Sequence, residues 1–164
     1  MKTLLKVLGI ILICLVLLLV VLRATGLEPK DRRPGLWLKG ELVTTPVSDW
    51  SFVNKYATDR VQTRTWYLIP HSVNTGFIVY NGQLYLTSNF AAGVPYPQGK
   101  NWVSNAVRDP HVRLKFGNQL FDRTVSPVTD PTERANVLQA LAARNHQQAP
   151  SNGSTMHLFH VLPE

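Results

Sequence analysis

The sequence is poor in cysteine, and this excludes several kinds of chemistry. Cys14 is the only cysteine among 164 residues, and it lies inside an apolar run near the N-terminus. The rest of the chain therefore has no disulfide, no thiolate nucleophile and no cysteine-based metal site. A glycine-rich phosphate loop and a Ser-His-Asp motif context are also missing, which argues against a nucleotide-triphosphate enzyme and against a hydrolase.

The histidines do not have the spacing of a metal site. His157 and His160 lie three residues apart in a predicted strand, so their side chains should face opposite sides of a sheet. Together with His111 and His146 they make no recognised ligand pattern. We therefore predict that the protein binds no metal.

The positive charge is unevenly distributed. The formal net charge is +7, and residues 1–33 hold six lysines and arginines against two acids. The remaining residues carry no dense basic stripe, which excludes nucleic acid as a partner. Lys30, Arg32 and Arg33 directly follow the apolar run, so we expect them to meet the anionic headgroups of membrane lipids.

The apolar run is long enough to cross a membrane. Residues 7–22 are all apolar apart from Gly9, and about 20 residues are needed for a membrane-spanning helix. Residues 21–26 read Val-Leu-Arg-Ala-Thr-Gly and lack the small-residue exit site of a cleaved secretory signal. The pattern favours a retained single-pass anchor at residues 1–23. A juxtamembrane linker at residues 24–35 and a domain at residues 36–164 are predicted to follow it.

The side of the membrane is only weakly indicated. Lys2 and Lys6 stand before the run, whereas Arg23 and the basic linker residues follow it. The rule that positive loops stay in the cytoplasm is therefore nearly balanced. A short N-terminal anchor usually keeps its start inside, so we expect an extracytoplasmic, periplasmic-type location for the domain.

The domain is predicted to be mainly β with one or two helices. Asn81-Gly82 is a strong hairpin signal because both turn positions favour positive φ. Seven short segments have strand character and predict a small, closed or partly closed β-barrel: 36–44, 61–69, 75–80, 83–87, 112–116, 119–128 and 156–162.

Two helices are expected. Residues 102–108 form a short helix that Asp109-Pro110 should end. A longer helix follows Asp130, a plausible N-cap, with Pro131 at its first position and Glu133 completing a capping-box pattern. Its core face is predicted to consist of Val137, Leu138, Leu141 and Ala142.

The segment 81–114 carries a recognisable pattern. Residues 81–88 read Asn-Gly-Gln-Leu-Tyr-Leu-Thr-Ser, and residues 100–114 read Lys-Asn-Trp-Val-Ser-Asn-Ala-Val-Arg-Asp-Pro-His-Val-Arg-Leu. This resembles the flavin-binding split β-barrels, the group of the pyridoxamine-phosphate oxidases and the deazaflavin-dependent nitroreductases. Those proteins have a hairpin ending in Thr/Ser, a loop and a helix-to-strand segment. The matching positions are Trp102, Asn105, Pro110 and Val112, with Ala106 where leucine is usual.

The resemblance covers about residues 58–143 and implies a split β-barrel that binds flavin mononucleotide or a deazaflavin. In the family, strand-end hydroxyls and cations near the helix start hold the cofactor phosphate. By position those residues are Arg64, Thr65, Thr87, Ser88, Lys100 and Asn101, with Trp66 and Trp102 as walls for the ring. A helix start near Lys100 would add its dipole to an anion site. Alternatively, Thr87 and Ser88 simply end a strand and Lys100 is a solvated loop charge.

His71 is the candidate catalytic residue. A histidine beside a redox ring can donate a proton to a substrate or orient it. It can equally be a turn residue that bonds to the backbone, since no acid partner is evident in the sequence.

Two functions are compatible with these patterns. The first is a membrane-anchored flavin- or deazaflavin-binding oxidoreductase that acts on a small organic substrate, with a homodimer implied by the resemblance. The alternative is a non-catalytic envelope binding or interaction module on the same scaffold. The alternative arises because this sequence does not clearly reproduce the Arg/Lys pattern with which the oxidases bind the cofactor phosphate.

Overall fold

The structure is a computed structural model that describes residues 2–145 and 155–162. Its longest helix, α1 (Lys2–Thr25), has no buried residue, and an 18-residue stretch of it with a mean hydropathy of 3.3 is apolar enough to cross a membrane. Two other helices follow, α2 (Asn101–Arg108) and α3 (Pro131–Asn145), together with a 3₁₀ turn at Ser51–Lys55. The strands are β1 (Glu41–Leu42), β2 (Asp59–Thr63), β3 (His71–Tyr80), β4 (Gln83–Phe90), β5 (His111–Phe116), β6 (Gln119–Pro127) and β7 (Thr155–Val161).

Six of these strands close into an antiparallel barrel. The order is β6-β5-β2-β3-β4-β7, and pairing of β7 with the end of β6 completes the circle, for example Val125 with Val161. The short strand β1 pairs in parallel with the start of β6. The predicted small β-barrel is therefore confirmed.

The barrel interior is filled mainly by aromatic and aliphatic side chains. Phe77 and Phe121 are fully buried there, and Trp50 packs 5.1 Å from Phe121 between ring centroids. A second apolar cluster lies under α3, where Val137 and Leu141 contact the outer side of the sheet. The predicted core face of this helix is thus confirmed for its two most buried members.

Local turn and cap signals are confirmed. Asn81 and Gly82 have φ values of 51° and 75°, as their hairpin turn requires. Asp130 caps α3, since its Oδ1 accepts the backbone N–H of Glu133 at 2.6 Å. The Glu133 carboxylate does not complete the reciprocal box but accepts the Tyr85 hydroxyl at 2.9 Å.

Four strand predictions are wrong in extent. β3 starts at His71 rather than at residue 75, and β4 ends at Phe90 rather than at residue 87. The strand expected over 61–69 starts at Asp59 and ends at Thr63, and the following loop holds Leu68 at a φ of 67°. The Trp and Tyr of this loop have high β propensity, but a strand also needs neighbours to pair with. The strand expected over 36–44 is reduced to Glu41–Leu42.

The two C-terminal histidines face opposite sides of β7, as predicted. His160 stacks on Tyr85 with a centroid distance of 4.7 Å, and His157 stacks on Tyr96 at 4.2 Å. His146 lies outside the described residues. Within 2–145 and 155–162, the His, Cys, Asp and Glu side chains form no group of three suited to a metal ion.

Residues 26–38, here called the strap, are attached to the barrel wall. The Gly35 N–H donates to the Ser72 carbonyl at 2.8 Å, and the Ser72 N–H returns a bond to Gly35 at 2.9 Å. Glu28 Oε2 lies 2.6 Å from Arg60 Nη1, and Glu28 Oε1 accepts a bond from Lys115 Nζ. Most of the predicted linker is therefore folded against β2, β3 and β5.

Candidate functional site

A groove of about 540 Å³ opens where β3, β4, the start of α2 and the tip of the strap meet. We call it the groove. Its lining includes apolar side chains and a larger set of cations, amides and hydroxyls. The polar and charged lining residues are Asp31, Arg32, Arg33, His71, Asn74, Thr75, Thr87, Asn89, Lys100 and Asn101.

The groove brings together five of the residues predicted for the site: His71, Thr87, Lys100, Asn101 and Trp102. They come from three elements that the chain order separates. Residues 84, 86 and 90 of β4 belong to the barrel core, so the alternating residue Thr87 is on the other face. A strand end and a helix start therefore meet as the resemblance implied.

Lys100 lies at the anion-binding end of α2. It has extended backbone angles as N-cap, and no side-chain cap bond is formed there within the described chain. Its ammonium lies 5.8 Å from the Phe90 ring centroid, and partial burial lowers the pKa of Lys100 below its ordinary value. The helix start thus offers backbone N–H groups and a cation to the same groove.

The position of α2 is fixed by hydrogen bonds to the barrel. Asn105 Nδ2 donates to Thr63 Oγ1 at 3.1 Å, and the Thr63 hydroxyl donates to the His71 carbonyl at 3.2 Å. The Ser104 hydroxyl donates to the Pro97 carbonyl at 2.7 Å. Asn105, singled out by the sequence motif, therefore holds the helix against the strands.

His71 lies at the start of β3, opposite Thr63, and is partly buried. Burial lowers the pKa of His71 below its ordinary value, which favours the neutral imidazole at pH 7. A neutral imidazole can donate through one nitrogen and accept through the other. Asp31 is a carboxylate that lines the same groove.

Two predicted site residues offer less surface to a ligand than expected. Trp102 lines the groove, but it is only 5% exposed and packs 5.3 Å from Phe159. Ser88 is buried next to Thr87 on the opposite face of β4, and its Oγ finds no hydrogen-bond partner within the described residues. Its hydroxyl is thus not among the groove's lining groups.

The other three predicted residues lie elsewhere. Arg64, Thr65 and Trp66 line a separate cavity of about 550 Å³ together with Trp37 and Arg108. The Thr65 hydroxyl is already bonded to the Ile69 carbonyl, and Trp66 is 79% exposed. The structure therefore does not bring these residues to the groove within one chain.

Sequence reasoning did not assign Arg32, Arg33 or Asn74 to the site. Asn74 Nδ2 donates to the Asp31 carbonyl at 3.0 Å and so helps to hold the strap tip beside the groove. The two arginines then line the groove with Lys100. The basic cluster was evident in the sequence, but its closeness to the apolar run indicated lipid headgroups.

The comparisons with known proteins identify the fold. No protein-family model matches the sequence, and no curated protein matches it. A protein from Listeria innocua, provisionally assigned as a pyridoxamine 5'-phosphate oxidase, has 15% identity and a TM-score of 0.51 over 70% of this chain and 89% of its own. A conserved hypothetical protein from Mycobacterium tuberculosis has 17% identity and a TM-score of 0.51, covering 69% and 76%.

The heme storage protein HutZ from Vibrio cholerae is also similar, with 14% identity and a TM-score of 0.50, covering 69% of this chain and 85% of that one. At such identities the likeness concerns the fold. The domain has the split β-barrel fold of these proteins, and the fold predicted from residues 58–143 is confirmed.

Proposed function

We propose that this split β-barrel is a flavin- or deazaflavin-binding, oxidoreductase-like protein that acts on a small organic substrate. The observation that carries the proposal is the meeting of Lys100, Arg32, Arg33 and Thr87 in one groove. These groups suit a phosphate, because cations and hydroxyl or backbone donors make the strongest bonds to it. The similarity to a provisionally assigned pyridoxamine 5'-phosphate oxidase fits the same ligand class.

Each part of the groove has a distinct role in this proposal. Lys100 and the start of α2 hold the phosphate, aided by the Thr87 hydroxyl. Val73, Trp102 and Met156 supply apolar lining for the ring. Bound there, the cofactor would supply hydride exchange with the substrate. His71, kept neutral by burial, donates or accepts a proton at a substrate atom.

The proposal is tested by titrating the purified full-length protein in detergent with flavin mononucleotide and following quenching of flavin fluorescence. Lys100→Ala should weaken binding by about 10- to 100-fold, the effect of removing one charged hydrogen bond. Ser88→Ala is the matched control, because its hydroxyl faces away from the groove and its loss should leave the affinity unchanged. Equal affinities of wild type and Lys100→Ala would reject the assignment.

A second candidate function is the non-catalytic binding module. It is favoured by the separation of Arg64, Thr65 and Trp66 from the groove, which leaves the expected cofactor set divided between two cavities. The same titration distinguishes the two functions. Absence of saturable binding of both flavin mononucleotide and a deazaflavin would favour the module.

We further infer that α1 is a retained single-pass anchor and that the domain lies outside the cytoplasm. The length and hydropathy of α1 support a membrane span, whereas retention and the side follow from the sequence pattern. The mass of the mature protein tests retention, since cleavage would remove α1. Protease accessibility in spheroplasts tests the side. The homodimer implied by the resemblance is tested by the molar mass of the detergent-solubilised protein.

A further inference from the structure

The barrel surface around the end of α1 has an unusual combination of side chains. Three neighbouring cavities share residues there, since Arg23 lines two of them, Arg64 lines two and Trp37 lines two. Arg23 belongs to the last turn of α1, and its guanidinium lies 5.8 Å from the Trp37 ring centroid. We call this surface the helix-end face, and it comprises Arg23, Trp37, Arg64, Trp66, Tyr67, Leu68, Arg108 and Arg113.

An apolar loop projects from the helix-end face. Trp66, Tyr67 and Leu68 are 79%, 51% and 92% exposed, although these residue types are usually withdrawn from water. The turn that presents this loop is closed by two bonds: the Thr65 hydroxyl donates to the Ile69 carbonyl, and the Leu68 N–H donates to the Thr65 carbonyl at 3.3 Å.

The backbone of this loop is also costly. Leu68 has a φ of 67°, which is unfavourable for a leucine and persists only where the surroundings impose it. The loop keeps this unfavourable backbone conformation while it exposes Leu68 beside two aromatic rings. Such a loop is suited to contact with an apolar environment outside the protein. Tryptophan and tyrosine are the residues that concentrate at the membrane–water interface.

Arginines flank the loop. A cavity of about 490 Å³ is lined by Arg23, Arg64 and Arg113, and Arg108 lies beside the loop in the neighbouring cavity. Asp122 holds Arg113 through two contacts of 2.7 Å, and Asp109 Oδ2 lies 3.6 Å from Arg64. His111 also lines the first cavity. A further arginine, Arg123, also lines the first cavity. The arginines of the two cavities outnumber the two carboxylates, so the face is positive.

We propose that the helix-end face lies on the anionic bilayer that holds α1, with residues 66–68 in the interfacial zone and the arginines on lipid phosphates. The inference rests on the anchor part of the proposed function and not on flavin binding. Its occupant follows from position, because the Leu27 N–H, two residues after the end of α1, donates to the Trp37 carbonyl at 3.2 Å, so this face lies beside the point where α1 ends. Guanidinium groups make paired hydrogen bonds to phosphate oxygens.

Arg32 and Arg33, for which the sequence suggested contact with lipid headgroups, are exposed and line the groove at the strap tip. The helix-end face supplies other arginines at the point where α1 ends. The protein therefore has two separate basic regions, one at the groove and one at the end of the membrane helix.

The test uses full-length protein with Cys14→Ser and Leu68→Cys, labelled with an environment-sensitive fluorophore and reconstituted in vesicles. Vesicles of phosphatidylcholine with phosphatidylglycerol should place the label within reach of brominated lipid chains, which quench it. Val94→Cys is the matched control, because Val94 is an exposed apolar loop residue that lines none of the three cavities. Its label should not be quenched.

The electrostatic part is tested by adding Arg64→Gln to the labelled protein. Each cation near an anionic surface contributes about a fivefold factor, so the ratio of docked to undocked label should fall about fivefold. In vesicles of phosphatidylcholine alone the same substitution should have little effect. An identical response in both kinds of vesicle would overturn the role of the arginine.

Three results would overturn the proposal. A Leu68 label that brominated lipid does not quench would show that the loop stays in water. Disulfide-linked dimers of the unlabelled Leu68→Cys variant, together with no lipid quenching of the labelled one, would assign the face to a second copy of the chain. Failure of the protein to float with vesicles would remove the anchor itself and this inference with it. Flavin titration is independent of all three.

Discussion

Replacing Glu28 by glutamine should release the strap from the barrel, because this one carboxylate holds several groups together. Its Oε2 lies 2.6 Å from Arg60 Nη1, its Oε1 accepts from Lys115 Nζ, and the Lys39 backbone N–H donates to it at 3.1 Å. Glutamine retains the shape but removes the charge. The Lys115 ammonium would then be left in a poorly hydrated site without its counter-ion.

The free energy of strap docking that is lost in Glu28→Gln depends on how deeply the charged groups are buried. Breaking a fully buried ion pair costs about 3–5 kcal/mol, whereas an exposed pair contributes about 0–1 kcal/mol. The side chains of Glu28, Arg60 and Lys115 are 27%, 38% and 9% exposed, which is between these limits. We therefore expect strap docking to lose about 2 kcal/mol, which corresponds to roughly a 30-fold larger open population.

Amide hydrogen exchange measures this directly. The Gly35 and Ser72 amides are bonded to each other's carbonyls across the strap, so both should exchange roughly 30-fold faster in Glu28→Gln. The Ile78 amide in the β3–β4 hairpin should not change. Glu41→Gln is the matched control, since Glu41 is an exposed acid on β1. Adding Lys115→Met should restore much of the protection, and unchanged exchange in Glu28→Gln would refute the reasoning.

Acid should have the same effect as the substitution. Burial tends to raise the pKa of Glu28, but the hydrogen bonds from Lys115 and Lys39 and the nearby cations outweigh it, so the pKa is lowered from 4.5. The stabilisation is therefore complete above the unfolded value and is lost as pH falls through the lower folded value. Exchange at Gly35, corrected for its intrinsic pH dependence, should rise only in that acidic range. Glu28→Gln should abolish this rise.

Three further substitutions test other parts of the structure. Asp59→Leu should raise the free energy of unfolding by about 1–3 kcal/mol, because both carboxylate oxygens are buried without a hydrogen-bond partner in the described chain. Burial raises the pKa of Asp59 well above 3.8 in the folded protein. The stability of the wild type should therefore fall as pH rises from 3.8 towards the pKa of the folded state. Denaturant melts at two pH values should show that Asp59→Leu increases the free energy of unfolding more at the higher pH. Asp130→Ala should cost about 1 kcal/mol in the same melts by removing the acceptor of the Glu133 N–H, and an equal loss in Asp130→Asn would contradict a capping role. Gly82→Val should cost about 1–2 kcal/mol because its φ is 75°, and an unchanged melting temperature would contradict this.

The parts of the fold that were predictable from the sequence are those with local signals. The Asn81-Gly82 turn needs positive φ at both positions, and the Asp130 cap needs only an acceptor three residues before a free N–H. The segment around Asn105 was recognisable because its helix start and its following strand keep a fixed spacing. The interactions that determine these elements join residues that are close to one another in the sequence, so the sequence alone predicts them.

The strap and the division of the site were not predictable in this way. Glu28 meets Arg60 and Lys115, which are 32 and 87 positions away in the chain. The sequence indicated only a juxtamembrane linker, because the burial that makes these ion pairs strong exists only after the barrel has closed. Residues 64–66 were placed in the cofactor set by order along the chain, yet a turn directs them to another surface.

The strap connects α1 to the groove, and this connection has a consequence for the proposed ligand binding. It begins where α1 ends, is held at Glu28 by two barrel cations, and delivers Arg32 and Arg33 to the groove lining. Glu28 is not a lining residue, so it cannot contact a ligand there. If the two arginines contribute to phosphate binding, undocking of the strap must weaken that binding, because it removes these two side chains from the groove. Glu28→Gln should then reduce flavin affinity while Lys100 and α2 remain in place, and adding Lys115→Met should recover affinity in parallel with Gly35 protection.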